Sequence, residues 1–378
     1  MYEVREDLPF YFSLLILGTM RFYPLYQKTR KRYYLELILM SIFGNVMTVN
    51  VIVLCVISLK NGDYFLITSS SPYALAMIVV NGSTLSFAVN YKYWSNLFMS
   101  LTDYQKFGKP PNYDMLKKNG DRKGMIYMTC YVCTCTLFAI VEAVNEKRCL
   151  KNVGKYEICG FVIPVWWPIN YHPSIMLKTL VQIYQIGTVF ILSNFTITAT
   201  LQYQVCKYIS GKATHMGLHF NSIDPNSDPQ IQFEQFKLVV EYHQHIIRLC
   251  TMFDTACKRT VGHVTFTTAV ICALFSYHGM QGNYKLLSFV ALYIFNLGFM
   301  CHTGQTMEDA MSDIGNSIYL SQWYELDIRV RQWIPLLLGR TQKRIGLDAV
   351  PVGYLNYALL MTVLKTTFSY LNLLNHTI

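Results

Sequence analysis

Apolar residues fall into long runs separated by polar, mostly cationic stretches. Seven runs are predicted membrane spans: residues 34–59, 65–90, 125–144, 174–206, 261–280, 286–302 and 350–374. A helix rises about 1.5 Å per residue, so such runs have the reach for a hydrocarbon core about 30 Å thick. The fifth and sixth are joined by little more than Gln281, Gly282, Asn283 and Tyr284, which makes them a helical hairpin. Beyond the sixth run, Met307, Met311, Ile314, Ile318 and Trp323 recur at helical spacing and predict one amphipathic helix. A second helix, too short to span, carries Ile328, Val330, Trp333, Ile334, Leu336, Leu337 and Leu338. These two have more apolar surface than a solvated loop needs. They either pack on the chain's own cytosolic ends or contact another subunit through Trp323, Tyr324 and Trp333.

Composition agrees with the spans. Of 378 residues, 52% are hydrophobic and 14% charged, against about a quarter charged in soluble domains. Charge then sets the orientation. Of 32 Lys and Arg, 24 lie before the first span or in the loops after the second, fourth and sixth, and six lie on the opposite side. The cationic side is cytosolic, so the N-terminus is inside and the C-terminus outside. That is the reverse of a G-protein-coupled receptor. The net charge of +10 is therefore a loop bias and not a nucleic-acid signal, since no compact basic and aromatic module accompanies it. The apolar run from Tyr11 to Gly18 lacks the flanks of a secretory signal. With Arg21, Lys28, Arg30, Lys31 and Arg32 it predicts an amphipathic cytosolic helix leading into the first span.

Chemistry is sparse. There is no phosphate-binding glycine loop, nucleophile elbow or His-Glu-x-x-His, so neither an enzyme nor a cofactor is expected. Cys130, Cys133 and Cys135 have a metal-like spacing, but they fall inside the third span, where cysteine acts as a small hydrophobe and no metal is expected. Cys149 and Cys159 share the predicted outer loop, either bridged or as two free thiols. His243 and His245 follow Glu241 in a cytosolic stretch of helical period and read as a solvated helix face.

The last span is unusual. Stepping from Leu373 by helical turns meets Ser369, Thr366 and Thr362 on one side and His376 on the other, with Asn372 beside the stripe. A polar stripe on an apolar helix must face protein or water. It either packs tightly through small residues or lines a pore in which a ring of Leu373 side chains gates by dewetting. The stripe alone leaves these equal.

Gly304-Gln305, Ser312-Asp313-Ile314-Gly315, Ile318-Tyr319, Trp323-Tyr324 and the closing Phe368-Ser369-Tyr370-Leu371 with Leu374 together resemble the C-terminal signature of insect odorant receptors. Asn372 and the Asn375-His376-Thr377-Ile378 tail depart from it. The resemblance implies an all-α, seven-span subunit of a ligand-gated, nonselective cation channel in the plasma membrane of olfactory sensory neurons. Four subunits would surround a pore lined by the last span. The modest loop at 207–260 points to a tuning subunit that pairs with a co-receptor, because the co-receptor of the family has a much longer loop there. The implied organisation is a cytosolic segment 1–33, a six-helix bundle 34–302, cytosolic anchor helices 303–349 and a pore helix 350–378. In that picture Leu373 is the gate, and Lys365 lies about 80° around the helix from it.

The resemblance also places a pocket for a small volatile organic ligand in the outer half of the bundle, among the second, third, fourth and sixth spans. Chain direction selects Ser70, Tyr73 and Met77 on the second; Thr136, Phe138 and Ile140 on the third; Ile183, Tyr184 and Thr188 on the fourth; and Phe289 and Tyr293 on the sixth. For any one of them, ordinary bundle core is the alternative reading. Two other classes remain open: a gustatory-receptor relative, which closes with a different motif, and a metabotropic receptor or transporter.

Overall fold

The computed structural model describes residues 1–25, 30–151, 163–166, 175–282 and 284–377. The architecture is all helical apart from one short hairpin. The helices are α1 (Tyr11–Thr19), α2 (Arg30–Lys60), α3 (Tyr64–Val89), α4 (Tyr91–Leu101), α5 (Tyr113–Lys151), α6 (Ile175–Asn221), α7 (Pro229–Met280), α8 (Lys285–Tyr319), α9 (Ile328–Arg331), α10 (Ile334–Thr341) and α11 (Tyr357–Thr377). Antiparallel β1 (Asp348–Ala349) and β2 (Gly353–Tyr354) precede α11.

Among the described residues, α2, α3, α6, α7 and α8 are long and apolar enough to cross a membrane. Helix α5 packs on α6, and α11 packs on α7 and α8, so both complete the same bundle. In the membrane part, apolar side chains face outward: Leu35, Ile38, Leu39, Ile42 and Val46 of α2 are all exposed. Lipid tails are as apolar as leucine, so this exposure carries no penalty.

The largest buried cluster includes the inner, cytosolic ends of the bundle, where water drives apolar groups inside. Helices α6, α7 and α8 run on beyond the membrane as single rods. The α6–α7 connection, taken as a loop from 207 to 260, is therefore two helical extensions joined by a turn near residues 222–228. Likewise the amphipathic helix expected after residue 302 is the uninterrupted continuation of α8. Its buried Met307, Met311, Ile314 and Ile318 form the predicted stripe.

Four expectations change. The N-terminal segment is not a surface amphipathic helix. Leu14 and Leu17 are fully buried, and the α1 residue Ser13 donates to Gln204 Oε1 of α6 at 2.9 Å. The stretch after the second span contains α4, whose Trp94, Leu97, Phe98 and Leu101 are buried beneath the bundle. His243 does not lie on a solvated face; it is 2% exposed. Finally, the last helix begins at Tyr357. Residues 350–354, the start of the last apolar run, belong to the hairpin instead. Its Val350–Pro351 bond is cis, which only proline makes cheap.

The hairpin is clamped between α7 and α8. Asp348 N donates to Asp254 Oδ1 at 2.8 Å, and Arg344 pairs with Glu308 of α8 at 2.8 Å. Two glycines allow the approach. A Cβ on Gly262 would sit 1.8 Å from the Val350 carbonyl oxygen, and one on Gly304 would sit 1.9 Å from that of Leu355.

Candidate functional site

A partly open cavity of about 130 Å³ lies within the membrane part of the bundle. Helix α3 contributes Tyr73, Ala76, Met77 and Val80; α5 contributes Tyr127, Tyr131 and Cys135; α6 contributes Phe195 and Thr196. Helix α7 adds Phe275, α8 adds Phe289, Leu292, Tyr293 and Asn296, and the outer segment adds Ile163. No charged side chain lines it. The wall is rigid because its rings interlock. Tyr73 meets Phe275 edge-on at 5.1 Å and Phe289 at 5.8 Å, and Phe275 stacks on Phe289 at 5.5 Å. Such pairs add about 0.5–1.5 kcal/mol each beyond burial.

The polar end of the cavity is its inner one. Asn296, buried on α8, accepts a hydrogen bond at Oδ1 from the Tyr127 hydroxyl of α5. The segment around Ile163 closes the other side. Ile163 and Val165 are buried, and the Ile163 carbonyl accepts from Gln185 Nε2 of α6 at 3.0 Å.

Of the residues selected from the sequence, Tyr73, Met77, Phe289 and Tyr293 come together on this lining. Phe138 stands behind it, stacked on Phe289 at 4.3 Å. Ser70 is buried a turn or two outward, bonded to the Leu66 carbonyl at 2.6 Å. Tyr184 reaches from α6 to α2, its hydroxyl donating to the Phe43 carbonyl at 2.7 Å, and the buried Thr188 donates to the Tyr184 carbonyl of its own helix at 3.0 Å. Thr136, Ile140 and Ile183 are exposed on the outer surface of the bundle. Depth alone selected these last residues, and depth does not say which side of a helix faces inward. The missed residues carried a usable signal. Tyr127, Tyr131 and Cys135 are spaced by four, as are Phe289, Tyr293 and, three further on, Asn296, and such rows share a helix face.

The three cysteines of the third span do not converge. Cys130 and Cys133 are exposed, whereas Cys135 lines the cavity. No group of three metal-capable side chains occurs among the described residues. Cys159 and the side chain of Cys149 lie outside the described residues.

On α11 the stripe faces away from the chain's own core. Leu359 and Val363 are buried against the bundle, and the half-buried Thr367 donates to the Ala269 carbonyl of α7 at 3.4 Å. Thr362, Ser369, Asn372, Leu373 and His376 are exposed and Thr366 is half-buried, with Leu373 59% exposed. The hydroxyls of Thr362, Thr366 and Ser369 donate to carbonyls four residues back, at 3.0, 2.9 and 3.1 Å. Their hydrogen atoms are thus satisfied within the helix.

In the cytosolic part, Trp323 and Tyr324 form a single 3-10 turn, Trp323–Glu325. Trp323 packs on the core, while Tyr324, Ile328, Trp333 and Leu336 are exposed together below the membrane. His243 lines a groove beside Trp333 and Arg340. Burial, and then the Arg340 charge, push its pKa down to about 4.

Comparison with known proteins agrees with this architecture. The family described as 7tm Odorant receptor matches residues 65–368. Odorant receptor 85c of Drosophila melanogaster is 22% identical over 284 residues, 69% of each chain. Odorant receptor 85b of the same organism is 22% identical over 286 residues, covering 70% of this chain and 69% of its own. The solved olfactory receptor OR5 from Machilis hrabei superposes with a TM-score of 0.76 at 14% identity, covering 96% of both chains. Its complex with eugenol superposes with a TM-score of 0.78 at 12% identity over 97% of both. At such identities the likeness concerns the fold, which is that of a seven-span, all-α membrane protein. The matched family covers most of the length, and the chain belongs to the insect odorant receptors.

Proposed function

We propose that the chain is a tuning subunit of a ligand-gated, nonselective cation channel. A small volatile organic ligand binds in the cavity between α3, α5, α6, α7 and α8. The pore is lined by α11 from four subunits, with Leu373 at its gate. The observation that carries this reading is the separation of roles in one chain. A mainly apolar, aromatic cavity lies between the helices of the bundle, while a polar stripe with one leucine faces outward on α11. A binding site of this kind is apolar with few polar handles, and a stripe of this kind needs water or a second protein surface.

The cytosolic helices supply the contact with neighbouring subunits, a co-receptor among them. The exposed Tyr324, Ile328, Trp333 and Leu336 are the observation in favour, because such a patch beside water invites a partner. The solved relative in complex with eugenol supports a small-molecule ligand here. Ligand gates the pore only if it binds the open state more tightly than the closed one. Phe275 of the cavity lies on the helix against which α11 packs, so a ring displaced there bears on the pore helix directly.

The test is an odorant panel recorded electrically on cells expressing the chain with and without a co-receptor. Ligand-evoked cation current that needs the co-receptor supports the reading. Current in neither condition, with the protein at the surface, contradicts it.

A further inference from the structure

Tyr73, Tyr131, Thr196 and Tyr293 also stand on the lining, and beside them the Tyr127–Asn296 pair has incomplete hydrogen bonding. Tyr127 donates its hydroxyl to Asn296 Oδ1. Were the Asn296 amide turned over, the phenolic hydrogen would lose this acceptor in aromatic surroundings, so the observed sense satisfies both groups. It leaves the two N–H bonds of the Asn296 amide nitrogen, which find no hydrogen-bond partner among the described residues. Asn296 is 8% exposed and lines the cavity, so those donors are available to a molecule bound there. A buried donor without a partner is costly, and a ligand atom that accepts from it recovers that loss.

Size narrows the ligand further. The cavity is about 130 Å³, close to the engineered apolar cavity of about 150 Å³ that takes one benzene ring. Its walls are aromatic faces and edges that favour a flat partner. We infer that the preferred ligand is a compact, single-ring volatile bearing one hydrogen-bond acceptor, such as an aryl ketone or aldehyde, whose oxygen accepts from the Asn296 amide. This rests on the pocket reading above and adds the chemical class.

The experiment compares matched pairs on the full chain co-expressed with a co-receptor: acetophenone against isopropylbenzene, and benzaldehyde against styrene. The wild type is expected to respond to the carbonyl member at about tenfold lower concentration, the discrimination one neutral hydrogen bond provides. Asn296→Leu is expected to erase that preference. Tyr127→Phe is a second, independent variant. It leaves Oδ1 without its donor, so the cavity then offers an acceptor too, and benzyl alcohol should gain potency relative to benzaldehyde.

Three results overturn the inference. They are equal potency within pairs in the wild type, silence of the wild type toward every carbonyl compound, and a preference that survives Asn296→Leu. Should that variant carry no current, Tyr127→Phe decides, and an unchanged alcohol response overturns it. Ala76→Phe, which fills the cavity, separates this from the pocket reading. If Ala76→Phe abolishes the response and the preference persists in Asn296→Leu, the ligand class is wrong and the pocket stands. If Ala76→Phe changes nothing, the pocket itself is misplaced and the inference falls with it.

Discussion

His302 Nδ1 and the Tyr357 hydroxyl lie 2.8 Å apart, a hydrogen bond from the inner end of the sixth span to the first residue of α11. Around it the aromatic rings continue inward from the cavity. Phe299 stacks on Tyr127 at 4.8 Å and meets Tyr203 at 5.2 Å, and Tyr203 stacks on His302 at 6.1 Å. The base of α11 is thus held by the helix that carries the polar end of the cavity. Tyr357→Phe should lower stability by about 1 kcal/mol, the net worth of one such bond. His302→Gln and Tyr357→Phe together should lose less than the sum of the two. Thermal unfolding of the purified single and double variants checks this, and strict additivity would show that the bond contributes nothing.

Gly262 of α7 and Gly304 of α8 tolerate no side chain, because the backbone of the linker to α11 lies against them. Gly304→Ala would drive a methyl group into the Leu355 carbonyl, and Gly262→Ala into that of Val350. Backbone cannot rotate away as a side chain can, so either change should destabilise by at least about 1–3 kcal/mol. Loss of assembled channel at the cell surface is the expected readout. Gly339→Ala, where nothing lies within 4 Å of the added Cβ, should be silent.

Acid should weaken the cytosolic part. Burial, with Arg340 adding, lowers the His243 pKa from 6.5 to about 4. The unfolded chain therefore takes up a proton below pH 6.5 that the folded chain refuses until pH 4. Stability is full above about pH 6.5 and falls as pH drops through that window. His215 and His245 are lowered in the same direction, mainly by burial, and share the slope. The midpoint of unfolding of purified protein should drop between pH 7 and pH 5. His243→Leu should flatten that dependence in part, and an unchanged slope would remove His243 from the account.

How much of this was readable from the residues differs by element. Spans were readable because a bilayer demands uninterrupted apolar length, and orientation because Lys and Arg crowd the cytosolic loops. The stripe from Thr362 to His376 was readable because helical period survives any packing. Helix α4 was not, since its Trp94 and Phe98 face a core built by distant segments. His243 was misjudged for the same reason: α10 and Arg340, almost a hundred residues away, cover it. The cavity was half readable. Tyr73 and Tyr293 follow from depth, but Tyr127 and Asn296 depend on the rotation of α5 and α8, which neighbouring helices set.

Leu373 should control the resting state of the pore. Leu373→Ala shortens the one apolar side chain on the stripe and lets water remain in the constriction. Basal current on co-expression with a co-receptor should rise several-fold without ligand. Unchanged basal and maximal currents would move the gate elsewhere.

The central claim is that ligand binding and conduction belong to one membrane assembly. Inside-out patches from cells expressing the chain with a co-receptor, bathed without nucleotide, test it most directly. The account predicts that ligand opens cation channels passing both Na+ and K+ in the isolated patch, and that Ala76→Phe abolishes the opening. Ligand responses that vanish on excision and return only with GTP would contradict it.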